Sequence, residues 1–132
     1  MDNYVVGSKK PIKLKIEVQS EAIPTTYTYL EDTGQENGKP DIPPFNPSIK
    51  TGWKLIDKGG TVNGKTLKVA TFLRFFNSFP NEETFNLAIK QIKDTYKVFL
   101  TGGDAPNYSV AFTVESLYSS KVCIINSEVT LS

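Results

Sequence analysis

Hydrophobic and polar residues alternate with a period of two along much of this chain. The clearest case is segment 12–18, where Ile12, Leu14, Ile16 and Val18 are apolar and the residues between them are charged. This pattern predicts a β-strand with one face buried and the other in water. Further strands are predicted at 25–30, 53–56, 67–75, 96–100, 108–114 and 122–125, and residues 129–131 extend the last strand or add one at the edge.

One segment has the period of a helix instead. Phe85, Ala88, Ile89 and Ile92 recur at intervals of three and four residues, and Asn81 stands where a cap is needed. Acidic residues follow the cap and lysines come near the end, which suits the helix dipole. We therefore expect one amphipathic α-helix near 81–95 that packs on the sheet through Phe85, Ile89 and Ile92.

Turn residues separate these elements. Asn63-Gly64 is the preferred pair for a type I′ hairpin turn, and segment 118–121 is a second turn. Short strands divided by Gly, Pro and Asn turns predict a mainly β fold. We expect an antiparallel β-sandwich or a small barrel of about seven to eight strands, formed by residues 1–132 as a single domain.

Segment 31–48 differs from the rest of the chain. It contains four prolines and two glycines, so we expect a long Pro/Gly-rich loop through which no regular element runs. Loops longer than about 12–15 residues are usually functional or disordered. Proline also stiffens the second half of this segment, which lowers the entropy lost when a loop binds a partner.

The inventory of chemical groups argues against an enzyme. The chain has no histidine and one cysteine, so a Ser-His-Asp triad, a Cys-His pair and a histidine zinc site cannot be built within it. Cys123 lies in the apolar run 122–125, where a buried and unreactive thiol is expected. We predict no catalytic residue, no cofactor and no metal.

Two kinds of site can be built from acidic residues, a calcium-binding loop and a pair of catalytic carboxylates. The segment that starts at Asp32 does not match the calcium-binding loop of an EF-hand, because Gly34, Asn37 and Pro43 occupy positions where ligands or glycine are required. A small hydrolase needs only two carboxylates at a suitable distance. No spacing singles out a pair among the residues that could supply them: Glu31, Asp32, Asp41, Asp57, Asp104 and Glu115.

Charge and hydropathy limit the partners and the location. A net charge of +1 lacks the basic excess of a nucleic-acid-binding protein. No apolar stretch approaches the roughly 20 residues of a membrane span, and the first residues lack the basic start and apolar core of a signal peptide. We expect a cytoplasmic protein, or one exported by a route that needs no such signal, unless the chain has been trimmed.

Aromatic residues near the long loop are the best binding candidates. Trp53, Tyr27, Tyr29 and Phe45 are expected to form either a stacking platform for sugars or the anchors of a protein interface. The alternative is that Trp53 and one face of the 25–30 strand belong to the core. The candidate binding residues are Pro43, Pro44, Phe45, Asn46, Trp53, Tyr27 and Tyr29.

Three hypotheses for function follow. The first is a non-enzymatic protein that acts by protein–protein contact, as a self-assembling or structural subunit or as the small cognate partner of one protein. In that case, deletion of residues 35–47 should abolish binding and leave the fold intact. The second is a carbohydrate-binding module that uses exposed aromatic residues, and the third is a small carboxylate-based hydrolase.

Overall fold

A computed structural model of the chain describes residues 2–7, 9–31, 42–48, 51–76, 79–105 and 107–132. These residues form ten strands and two helices, so the protein is mainly β as expected. In chain order the elements are β1 (Asp2–Tyr4), β2 (Pro11–Glu17), β3 (Ile23–Glu31), β4 (Ile42–Phe45), β5 (Lys54–Lys58), α1 (Gly59–Val62), β6 (Thr66–Arg74), α2 (Glu82–Thr95), β7 (Lys97–Thr101), β8 (Tyr108–Ser109), β9 (Thr113–Leu117) and β10 (Val122–Leu131).

The strands are arranged in two sheets. Sheet A has the order β1-β10-β6-β3-β4, and β9 also pairs with β10. Sheet B has the order β5-β2-β7-β8. Neighbouring strands are antiparallel except β1 and β10, which are parallel. Each sheet ends in edge strands within the described part of the chain, so the small-barrel alternative is wrong.

The middle of sheet A consists of three long strands. β6 pairs with β3 on one side and with β10 on the other, over all nine of its residues. Leu67, Val69, Thr71 and Leu73 of β6 are buried, and the residues between them point to the opposite face. The strands predicted at 25–30, 67–75 and 122–125 are thereby confirmed, and β10 has neighbours on both sides.

Both sheets contribute to one hydrophobic core. Sheet B supplies Ile12, Leu14 and Ile16 of β2, which are fully buried, as the alternation in segment 12–18 predicts. Sheet A supplies the inward residues of its three long strands. Burial of apolar surface on both sheets is the main favourable term in folding a domain of this kind.

The predicted strand at 108–114 is wrong as a single element. β8 belongs to sheet B and β9 belongs to sheet A, so the chain crosses between sheets over the intervening residues. Val110 is buried at the crossing, and its N–H donates to the Val98 carbonyl at 2.9 Å. Period-two alternation persists through the crossing because both halves turn alternate residues to the same core. The divided segment is one reason why there are more strands than seven or eight.

Helix α2 confirms the predicted helix. Asn81 caps it, since its Oδ1 accepts a hydrogen bond from the Thr84 N–H at 2.9 Å. Phe85, Ile89 and Ile92 are all buried, as the spacing predicts. The ring of Phe85 contacts an aromatic cluster at the end of the core, formed by Phe75, Phe79 and Tyr118.

The hairpin predicted at Asn63-Gly64 is wrong. β5 pairs with β2 in sheet B, whereas β6 pairs with strands of sheet A, so the two strands that flank this dipeptide are not partners. The dipeptide instead ends the single turn of α1. Gly64 has a φ of +87°, which suits glycine at a helix C-terminus, and its N–H donates to the Leu131 carbonyl. Asn-Gly is favoured both in a hairpin turn and at the end of a helix. The pairing of the flanking strands with other strands therefore decides which of the two forms.

Segment 31–48 contains one short strand that the sequence did not predict. Glu31 ends β3, and residues 42–45 form β4, which pairs with β3 at the edge of sheet A. Pro43 and Pro44 lack an N–H, and an edge strand tolerates proline because one of its sides has no partner. Residues 32–41, which include Asp32 and Asp41, lie outside the described residues.

Buried hydroxyl groups tie α2 to sheet A. Thr26 and Thr71 share a hydrogen bond of 2.8 Å between their Oγ1 atoms, and Thr71 Oγ1 is 2.7 Å from the hydroxyl of Tyr96. The two threonines are fully buried, and Tyr96 follows directly after α2. Burial raises the pKa of Tyr96, so the phenol stays neutral and able to donate.

We predict that Tyr96→Phe lowers the free energy of unfolding by about 1 kcal/mol, because it removes the buried hydrogen bond between the Tyr96 hydroxyl and Thr71. Urea denaturation followed by circular dichroism measures the change. Tyr29→Phe is the matched control, since Tyr29 is half-buried on the outer face of β3 and its loss of a hydroxyl should change stability by less than about 0.5 kcal/mol. Equal effects of the two substitutions would contradict the assigned role.

Candidate functional site

A groove of about 560 Å³ lies on the outer face of sheet A. Its walls come from β3, from β6 with the residues that follow it, and from the start of β10. The lining residues are Ile23, Thr25, Tyr27, Tyr29, Phe72, Leu73, Arg74, Phe76 and Val122. We call this feature the sheet A groove.

Strand register places the lining side chains in rows, apart from Leu73, whose side chain is buried on the inner face. Arg74 stands between Ile23 on β3 and Val122 on β10, because it pairs with both. Phe72 pairs with Thr25 in the same way, one row further along. Since neighbouring strands lie about 4.8 Å apart, side chains in a row contact one another on the outer face.

The sheet A groove exposes more apolar surface than a solvent-facing strand requires. Phe76 is 70% exposed, Ile23 51% and Phe72 39%. The rings of Tyr27 and Phe72 meet edge to face with centroids 5.6 Å apart. In most antiparallel sheets the face away from the core is polar. A contiguous patch of exposed apolar side chains is therefore the feature of this surface that needs an explanation.

Polar residues limit the groove at one end. Lys68 Nζ is 2.9 Å from the Glu31 carboxylate; Lys68 pairs with Tyr29 in the same row, and Glu31 lies one row beyond on the same face. At the other end Arg74 is exposed, and it is the only arginine of the chain. No hydrogen bond or ion pair of the Arg74 guanidinium with another described residue is found.

The predicted binding residues divide between surfaces. Tyr27 and Tyr29 are half-buried and line the sheet A groove. Asn46 lies beside it, because the hydroxyl of Thr25 donates to Asn46 Oδ1 at 3.4 Å. Pro44 is exposed on β4, close to Asn46, whereas the side chain of Pro43 lies outside the described residues.

Phe45 turns toward the core. Its ring is half-buried against the core cluster, and the ammonium group of Lys54 lies 5.3 Å from the ring centroid. Phe45 pairs with Thr26, which points inward, so the register of β4 explains this orientation. The residue fastens β4 to the body of the protein.

Trp53 lies on the other sheet. It is half-buried, and Lys15 Nζ is 4.7 Å from its ring centroid and 5.4 Å from that of Phe99. Lys15 belongs to the outer face of sheet B, since its neighbours Leu14 and Ile16 are buried. The single platform of Trp53 with Tyr27 and Tyr29 is therefore not formed.

The acidic candidates lie on several elements of the described part of the chain. Asp57 is on β5 of sheet B, Glu115 is on β9 of sheet A, and Asp104 follows β7. The described residues contain no group of three or more histidine, cysteine, aspartate or glutamate side chains that could hold a metal ion.

Cys123 is fully buried on the inward face of β10, as the sequence predicts. Burial raises the pKa of its thiol to about 11, and the charge of Lys93 offsets this rise only in part. The thiolate, which is the reactive form, is therefore scarce at neutral pH.

Sequence reasoning missed the centre of the sheet A groove. Phe72 has an apolar side chain at a position where the alternation of β6 calls for a polar one, and Phe76 repeats this two residues after Arg74. Apolar residues at these outward positions were a signal in the sequence. They are expected equally where another part of the chain covers the face and where the face contacts a partner. The contribution of Ile23 and Val122 required strand pairing, which one sequence does not supply.

Comparison of the chain with protein-family models, with curated proteins and with solved structures finds no match in any of the three. Among the described residues, neither helix has the length and apolar character needed to cross a bilayer.

We predict that native Cys123 resists Ellman's reagent at about pH 8, because the thiol is buried and protonated. The urea-unfolded chain provides the control and should be labelled to completion over the same period. Stoichiometric labelling of the native protein would show that β10 opens readily or that the thiol is accessible.

Proposed function

We propose that this chain is a non-enzymatic protein-interaction domain, a two-layer β-sandwich that contacts a protein partner through the sheet A groove. The observation that carries the proposal is the contiguous exposed patch of Ile23, Phe72 and Phe76 beside the two groove tyrosines. The domain serves either as a subunit of an assembly or as the cognate partner of one protein.

The composition of the groove supports a protein partner. Interfaces between proteins are enriched in aromatic residues and arginine and are poor in lysine and acidic residues at their centre. Among the residues that the structure describes, the lining of the sheet A groove has four aromatic side chains, one arginine and no acidic residue. The net charge of +1 also favours a protein over a nucleic acid as the partner.

Residues after the long loop extend this surface. Asn46 adjoins Thr25, and Pro43, Pro44 and Phe45 belong to β4, which is paired to β3. An edge strand that is already fastened loses little entropy when a partner contacts it. We therefore retain Pro44 and Asn46 as contact residues at the border of the groove, with Phe45 as their anchor, and Pro43 stays a prediction from the sequence.

A carbohydrate-binding module is the second candidate, and Trp53 is the residue that favours it. The indole ring is half-buried beside Phe99 on the outer face of sheet B. Sugars stack on a free ring face, however, and the Lys15 ammonium lies over the indole ring. A change of Trp53 fluorescence on titration with polysaccharides would support this candidate over the first.

Deletion of residues 35–47 is not a clean test of the proposal. It would remove β4 from the edge of sheet A together with the buried Pro47. A loss of binding would then report damage to the sheet as readily as a lost contact.

We predict that Phe76→Ser abolishes capture of a protein partner from source lysate, whereas Leu87→Ser does not. Both side chains are apolar and well exposed, at 70% for Phe76 and 65% for Leu87, but Leu87 lies on α2, away from the groove. Removal of an aromatic anchor weakens binding by about 2 kcal/mol or more, which is roughly 30-fold.

Quantitative mass spectrometry of the captured proteins measures the outcome. A protein retained by wild type and Leu87→Ser but lost with Phe76→Ser supports the groove as the contact surface. Identical retention by all three proteins contradicts it. Thermal denaturation of each variant confirms that both substitutions leave the fold in place.

A further inference from the structure

We infer that the sheet A groove selects a partner segment in which a carboxylate is flanked by apolar side chains, and that Arg74 binds this carboxylate. The inference rests on the proposed function, because it specifies the chemistry of the protein that the groove receives. The observation that carries it is one exposed cation among apolar side chains, which is complementary to a carboxylate flanked by apolar side chains.

The position of Arg74 is fixed by strand pairing. It pairs with Ile23 on one side and with Val122 on the other, and Phe72 and Phe76 flank it along the chain. A guanidinium group in such a setting is surrounded by apolar side chains on the outer face of the sheet. Its charge is therefore screened less by water than that of an isolated surface residue.

The other described cations on this face or in the turn beside it already have partners. Lys68 is paired with Glu31 at 2.9 Å. Lys121 donates to the Tyr118 carbonyl at 2.9 Å, and its ammonium group also lies 3.9 Å from the centroid of the Tyr118 ring. Arg74 is thus the cation that the groove offers to an incoming group.

Strand register brings Glu21, two residues before Ile23, and Glu115 nearest to Arg74, and among the described residues neither is found paired with it. Glu115 is on β9, which is separated from β6 by the intervening strand β10, so the two chains are about 10 Å apart. No acidic residue lines the groove itself among the described residues. The geometry leaves the guanidinium fork open to a carboxylate from outside, which it can bind through two parallel hydrogen bonds.

The length of the groove favours a protein segment over a small carboxylic acid. Lining residues run along β3 from Ile23 to Tyr29, six residues apart, which is about 20 Å of strand. A peptide of about six residues in extended form covers this distance. Arg74 lies toward one end of it, between Phe72 and Phe76, and the tyrosines lie toward the other.

The test uses an array of acetylated and amidated pentapeptides. The central residue is Asp, Asn or Lys, and the other four are drawn from Leu, Ile, Phe and Tyr. Purified wild type, Arg74→Gln, Arg74→Glu and the control Lys90→Gln are each applied to it. Lys90 is an exposed lysine on α2. Lys90→Gln therefore changes the net charge by the same amount as Arg74→Gln, without touching the groove.

Wild type and Lys90→Gln should prefer Asp peptides over the matched Asn peptides on the order of tenfold, the difference that a charge-assisted hydrogen bond supplies. Arg74→Gln should lose that preference, and Arg74→Glu should prefer Lys peptides instead. A reversal of this kind cannot come from a variant that merely fails to fold.

Three results overturn the inference. Equal binding of Asp, Asn and Lys peptides shows that the groove receives apolar segments without charge selection. The absence of binding to any peptide shows that the groove does not receive a linear acidic segment, and a wild-type dimer that dissociates in Arg74→Gln shows that the occupant is a second copy of the chain. Each result leaves the proposed function to be decided by the Phe76→Ser capture, which uses the natural partner.

Discussion

Pairing of β6 with β3 and β10 along its whole length is the constraint on which the rest of the structure depends. Every inward residue of β6 from Leu67 to Leu73 is buried, and a shift of one residue would place these side chains in water. The same constraint decides which residues point outward. Phe72 and Arg74 are on the outer face because Thr71 and Leu73 are on the inner one, so the core determines the composition of the groove.

Buried polar groups reinforce this arrangement. The Thr26–Thr71–Tyr96 chain of hydrogen bonds joins β3, β6 and the end of α2 across the core, and it is satisfied only in one register of the strands. A rigid sheet presents its outer face without reorganisation, which lowers the entropy lost on binding. The groove is therefore a preformed surface, and β4 borders it as a paired edge strand.

The sequence predicted elements whose periodicity is strong and local. It located α2 through Phe85, Ile89 and Ile92, and it identified the inward face of β2. It failed where long-range pairing decides, as at the Asn63-Gly64 dipeptide and in the divided 108–114 segment. For the site, Tyr27 and Tyr29 were found as aromatic residues on a strand, but their partners on β6 and β10 depend on register. Trp53 was grouped with them by proximity in the chain, although it belongs to the other sheet.

Photo-crosslinking tests the central claim, that the groove is the contact surface, most directly. Benzoylphenylalanine replaces Phe76 in one protein and Leu87 in another, and each is irradiated in source extract. The account predicts a discrete adduct with a protein for position 76 and none for position 87. Adducts from position 87 alone, or from a probe at the exposed Leu55 of sheet B with none from 76, would contradict it.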